Sequence, residues 1–109
     1  MRILVSEVGR SFGRQTRAYA EYRIFSSIAR FDESARQVDV SLTATAAGGP
    51  AAACVITVMV DDGARLTVTT RGSHVHDAIN RAAERIADAL RRHSDPPSVA
   101  ARSARATGR

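Results

Sequence analysis

Apolar residues return along this chain with two periods, and each change of period marks the edge of an element. Ile3-Leu-Val-Ser-Glu-Val8 has the composition of a first strand and leaves through a loop from Gly9 to Gly13. From Arg14 to Phe31 there is neither Pro nor Gly. Ala20, Ile24, Ser27, Ile28 and Phe31 fall near one face there, with Tyr19, Tyr22 and Phe25 widening it, so the spacing predicts a helix. Arg36 to Thr45 then alternates, with Val38, Val40 and Leu42 on one side and Asp39, Ser41 and Thr43 on the other, the pattern of a strand with one wet face. Ala46-Ala-Gly-Gly-Pro50 reads as a turn, Ala53 to Val60 as an apolar, β-branched strand, and Asp61-Asp-Gly63 as a hairpin turn. In the next strand, Ala64 to Arg71, the residues Leu66, Val68 and Thr70 alternate with Arg65, Thr67, Thr69 and Arg71. After Gly72 the helical period returns: Val75, Ala78, Ile79, Ala82, Ala83, Ile86 and Leu90 line one face of a segment running from Ser73, its expected N-cap, to His93.

The order is β-α-β-β-β-α. Short turns join the last three strands, which requires an antiparallel meander, and each helix has an apolar face to cover. The economical solution is an α+β two-layer sandwich: a four-stranded sheet with both helices packed on one face and the Thr-, Ser- and Asp-rich face left in water. Residues 1–93 form this domain. Residues 94–109 have the composition of a flexible tail and hold three arginines and one aspartate.

Composition narrows the function. With 109 residues, 44% of them apolar, there is material for one core, but an aromatic share of 5% and no Trp suit a thin helix-on-sheet layer and not a deep catalytic pocket. There is no nucleophile–base pairing and no phosphate-cradling glycine loop, so the sequence points to a non-enzyme without cofactor or small-molecule substrate. Cys54 is the only cysteine, which excludes an internal disulfide, suits a reduced cytoplasmic setting and reads as a small buried strand residue. The apolar run at the N-terminus is too short for a signal peptide or a membrane span. His74 and His76 are two apart and His93 lies about five turns further on, so the three imidazoles cannot converge on a metal.

The net charge is +5 and all 16 basic residues are arginines, a side chain suited to bidentate contacts with phosphate, so nucleic acid is the first partner to consider. At 100° per residue Arg81, Arg85 and Arg92 fall about 240–280° around the last helix from Val75 and form the leading candidate set. Arg91 adjoins them. Arg23 and Arg30, within about 20° of each other on the first helix by the same count, are second, and Arg17 lies nearer the core-facing arc. The competing reading is a salt-bridged solvent face, because Asp77 precedes Arg81 by four and Asp88 precedes Arg92 by four. Against it, Arg81 and Arg85 are four apart and repel, which a polyanion would relieve. Arginines of the two helices lining one groove would favour nucleic acid; arginines each tied to a carboxylate would disfavour it.

Tyr19-Ala-Glu-Tyr-Arg-Ile24, Phe31-Asp32, Gln37-Val-Asp-Val-Ser-Leu42, and Gly72 followed by Ala78-Ile79, Arg85-Ile86, Leu90 and Arg92-His93 stand at a joint spacing that resembles the ribosome hibernation promoting factor family, also called ribosome-associated inhibitor or light-repressed proteins. The resemblance runs from Met1 to about His93. It implies a cytosolic protein that binds the small ribosomal subunit through its ribosomal RNA, in the channel of messenger and transfer RNAs, and so inhibits translation under stress. Long members add a C-terminal dimerisation domain; this chain resembles a short form, expected as a monomer or weak homodimer. It differs from the family pattern at His74 and His76, where an acidic residue and a Tyr are usual, and at Asp88, where a basic residue is often found. The alternative is a divergent domain of the same fold used for protein interaction or oligomerisation, through a strand edge or the Thr-rich sheet face.

Overall fold

In the computed structural model, which describes residues 1–9, 11–45 and 49–94, the two sequence periods become β1 (Arg2–Val8), α1 (Arg14–Ile28), β2 (Ala35–Ala44), β3 (Ala52–Val60), β4 (Arg65–Gly72) and α2 (Val75–Ser94). The sheet order is β1-β2-β3-β4. The α1 crossover returns the chain in the direction it came from, so β1 pairs parallel with β2, while β2, β3 and β4 form the antiparallel meander.

Register places the apolar positions in rows across the sheet. Val5 stands beside Val40, Val40 opposite Ile56 and Ile56 opposite Val68; Ile3, Val38, Val58 and Leu66 make a second row. Over this face lie Ala20, Ile24 and Ile28 of α1 and Ala78, Ile79, Ala82, Ala83, Ile86 and Leu90 of α2, all fully buried. Each fully buried Ile or Leu contributes about 1.5–3 kcal/mol. The helices pack on each other, α1 against β1, and α2 against β3 and β4. The other face is wet, with Asp39, Thr67 and Thr69 exposed and the Thr57 and Thr67 hydroxyls 3.2 Å apart.

Two local expectations are corrected. The first helix does not run to Phe31: it ends at Ile28 and tightens into a 3-10 turn, Ala29–Phe31, because the chain must reverse to bring the buried Ala35 into β2. Arg30 therefore leaves the helical count that set it beside Arg23. Ser73 does not cap α2. Its hydroxyl donates to Asp77 Oδ2 at 2.9 Å, and the first backbone bond of the helix runs from Ala78 N to His74 O. At the Asp61–Gly63 turn the expected chemistry is present: Gly63 has φ 92°, and Asp62 Oδ1 accepts the Ala64 N–H at 2.8 Å. Of the expected tail, 94–109, Ser94 belongs to α2, and residues 95–109, with parts of two expected turns, residues 10 and 46–48, lie outside the described residues.

Candidate nucleic-acid interface

The arginines of α2 are presented by a helix fixed at both ends. At its start Gly72 brings β4 so close to the first turn that an added Cβ would come within 2.6 Å of Asp77 Cβ and 2.7 Å of Ala78 N. The buried Thr70 Oγ1 donates to Ala78 O at 2.7 Å. At its other end His93 Nε2 lies 2.8 Å from Asp62 Oδ2, in the turn that leads into β4. That contact and the Ala64 N–H hold the Asp62 carboxyl below its ordinary pKa of 3.8, the backbone bond contributing most. Helix α2 thus runs back along β4 with little freedom to shift.

The predicted arginines fall into different surroundings. Arg85 and Arg92 line a shallow groove of ≈ 490 Å³ between α2 and the open side of β4, with Asp88, Thr67, Val68 and Thr69. Neither has a carboxylate partner among the described residues. Arg81 Nη1 donates to Arg71 O at 3.4 Å, beyond the β4 end of this groove. Arg91 is bonded to Asp88 Oδ1, so the sequence pairing of Asp88 with Arg92 is not formed. Nor is that of Asp77 with Arg81, since Asp77 accepts from Ser73.

Arg23 is not a free surface cation. Its Nε donates to Asn80 Oδ1 at 3.1 Å, it bonds Ser27 Oγ, and Glu84 Oε2 stands 3.9 Å away. Tyr19 Oη donates to the same Asn80 oxygen at 2.6 Å, and the Tyr19 and His76 rings lie 4.6 Å apart. These contacts stitch α1 to α2. Arg30 sits over the Phe31 ring at 4.9 Å. Arg17 pairs with Glu7 at 3.2 Å. The arginines of the two helices therefore do not share one groove, and two of the six candidates, Arg23 and Arg91, reach carboxylates.

Sequence reasoning missed three participants. Thr67 and Thr69 belong to the groove because β4 is an edge strand, and Asn80 carries the interhelical network; none has a local pattern that marks it. The three histidines make separate contacts or none, and no group of three or more His, Cys, Asp or Glu suited to a metal occurs among the described residues. Cys54 is fully buried, and burial pushes its thiol pKa up to about 12. No helix among the described residues is long and apolar enough to cross a membrane.

Residues 5–96 match the family described as Sigma 54 modulation protein / S30EA ribosomal protein. The fold is similar to the Protein Y N-terminal domain of Thermus thermophilus, with TM-score 0.71 and 21% identity over 85% of this chain and 99% of that one. It is also similar to a ribosomal subunit interface protein from Coxiella burnetii, with TM-score 0.72 and 9% identity over 85% of this chain and 97% of the other. No curated protein matches the sequence.

Proposed function

The chain belongs to the Sigma 54 modulation protein / S30EA ribosomal protein family, which is ribosome-associated and non-enzymatic, and from that premise we propose that it binds ribosomal RNA of the small subunit in the cytoplasm and inhibits translation by occupying the messenger and transfer RNA channel. The observation that carries this reading is the pair Arg85 and Arg92, unpaired among the described residues and held in one groove by a helix pinned at both ends. Guanidinium groups on such a frame neutralise phosphates without ordering of the backbone that carries them, and the release of counterions makes affinity salt-dependent and largely indifferent to sequence. Arg81, at the β4 end of α2, extends the set, and Arg30, in the 3-10 turn, is a separate contact. Arg91 joins by leaving Asp88, which a phosphate can replace. Arg23 acts through the interhelical seam, by keeping α1 and α2 in register.

Co-sedimentation with small ribosomal subunits across a salt series tests the proposal. Wild-type chain is expected in the pellet at low salt and in the supernatant at high salt. Changing Arg81, Arg85 and Arg92 together to Ala is expected to weaken binding and to lower the log–log salt slope by roughly 0.7–0.9 per arginine that contacts phosphate. No co-sedimentation at low salt overturns ribosome binding. An unchanged slope in the triple variant overturns the choice of face.

A further inference from the structure

The groove that holds Arg85 and Arg92 is walled on one side by Thr67, Val68 and Thr69 of the edge strand β4. β4 pairs only with β3, so its second edge carries N–H and C=O groups with no strand beside them. Natural edges are usually blunted by Pro, by a bulge or by charge in mid-strand. β4 has none of these between Leu66 and Thr70; its pairing with β3 runs without a register shift, and its charged residues, Arg65 and Arg71, stand near its ends. Helix α2 overhangs this edge with Arg85 and Arg92.

We propose that the β4–α2 groove takes up an acidic, extended peptide segment of another protein as a fifth strand, its backbone pairing with β4 and two of its carboxylates meeting Arg85 and Arg92. Two features select this occupant. An open strand edge offers donors and acceptors in alternation, which another peptide backbone matches and a phosphate backbone, with acceptors only, does not. The unpaired charges around the edge, Arg65, Arg71, Arg85 and Arg92, are all positive, so the segment must be acidic. Residues 95–109 of this chain hold three arginines and one aspartate and are of the wrong sign.

The geometry also sets a pattern. Arg85 and Arg92 are seven residues apart, about 10.5 Å along the helix. In an extended strand, residues four apart lie on one face about 13 Å from each other, a difference that arginine side chains span. Between them the groove presents Asp88. The central residue of the added strand is therefore uncharged, which gives Glu-x-Thr-x-Glu with x on the wet side. A segment bound this way excludes RNA from the same two arginines. That consequence rests on the ribosomal reading, whereas strand addition itself does not.

The test uses the intact chain and the capped, labelled peptide acetyl-Thr-Glu-Val-Thr-Val-Glu-Thr-amide, with a control carrying Lys for both Glu. Fluorescence anisotropy measures affinity and amide hydrogen exchange locates the contact. The expected result is binding of the Glu peptide alone, slower exchange of amides within 67–69, and an affinity loss of about tenfold or more in an R85A/R92A variant, which removes both charge pairs. Strand addition is overturned by absence of binding up to about 1 mM, by equal binding of the Lys control, or by binding that protects no β4 amide. Protection of the same amides by a single-stranded RNA oligonucleotide in place of the peptide also overturns it and assigns the groove to RNA. Since co-sedimentation with ribosomal subunits involves no peptide, failure here leaves that measurement standing, and the reverse.

Discussion

At the scale of single residues, surroundings decide chemistry that residue type leaves open. Cys54 is a thiol by type, but at 0% exposure with its pKa pushed up to about 12 it is withheld from reagents in the folded chain. Its alkylation by iodoacetamide should track unfolding: slow in buffer, fast in denaturant, with a rate that follows the unfolded fraction. Asp62 looks like one of two interchangeable turn aspartates, yet its carboxyl meets the Ala64 N–H and His93, which lower its pKa, the backbone bond first. A carboxylate held below its unfolded value contributes stability that is present above that value and lost as pH falls through the folded pKa. The gap in urea midpoint between wild type and Asp62→Asn should therefore be open well above pH 3.8 and should close on acidification below it. Arg23 and Arg85 are equivalent on a helical wheel. One is bound to Asn80, Ser27 and Glu84 and the other to no carboxylate among the described residues, a distinction that depends on residues of the neighbouring element.

At the scale of elements, most of the architecture was legible. Alternation in β2 and β4 named the inward-facing residues correctly, with Val38, Val40 and Leu42 buried and Leu66 and Val68 of the edge strand half-buried, and every residue on the predicted apolar face of α2 except the half-buried Val75 is fully buried. What failed was the junctions. Nothing local ends α1 at Ile28; the need to enter β2 does, and it detaches Arg30 from Arg23. The β4–α2 junction is the tightest in the fold. Gly72→Ala would put a Cβ against Asp77 Cβ and two backbone atoms of the first turn. Such overpacking against main chain is expected to cost about 1–3 kcal/mol in urea unfolding. Thr70→Val, which only removes the bond to Ala78 O, should cost about 1 kcal/mol. The larger loss belongs to the glycine because backbone cannot move aside as a side chain does.

At the scale of the whole molecule, the sheet order β1-β2-β3-β4 leaves two edges, and stability should be graded accordingly. Amide exchange is expected to be slowest in β2 and β3, which pair on both sides and carry the fully buried rows, and faster in β1 and β4; uniform protection across the four strands would contradict this ordering. Edge position also gives β4 a functional surface. Together with α2 it forms the groove of Arg85 and Arg92, on which the ribosomal reading and the strand-addition proposal both draw. The sequence by itself determined the elements, their apolar faces and the placement of both helices on one side of the sheet. Those follow from side-chain period and from the need to cover apolar surface, and both are local. Only the tertiary structure decided which strands are edges and which arginines stay unpaired. Asp88 turned to Arg91 and Asp77 to Ser73, and Arg23 was drawn into the seam with Asn80, because a charged side chain settles on the partner that folding brings within reach, and that partner need not be the one at helical spacing.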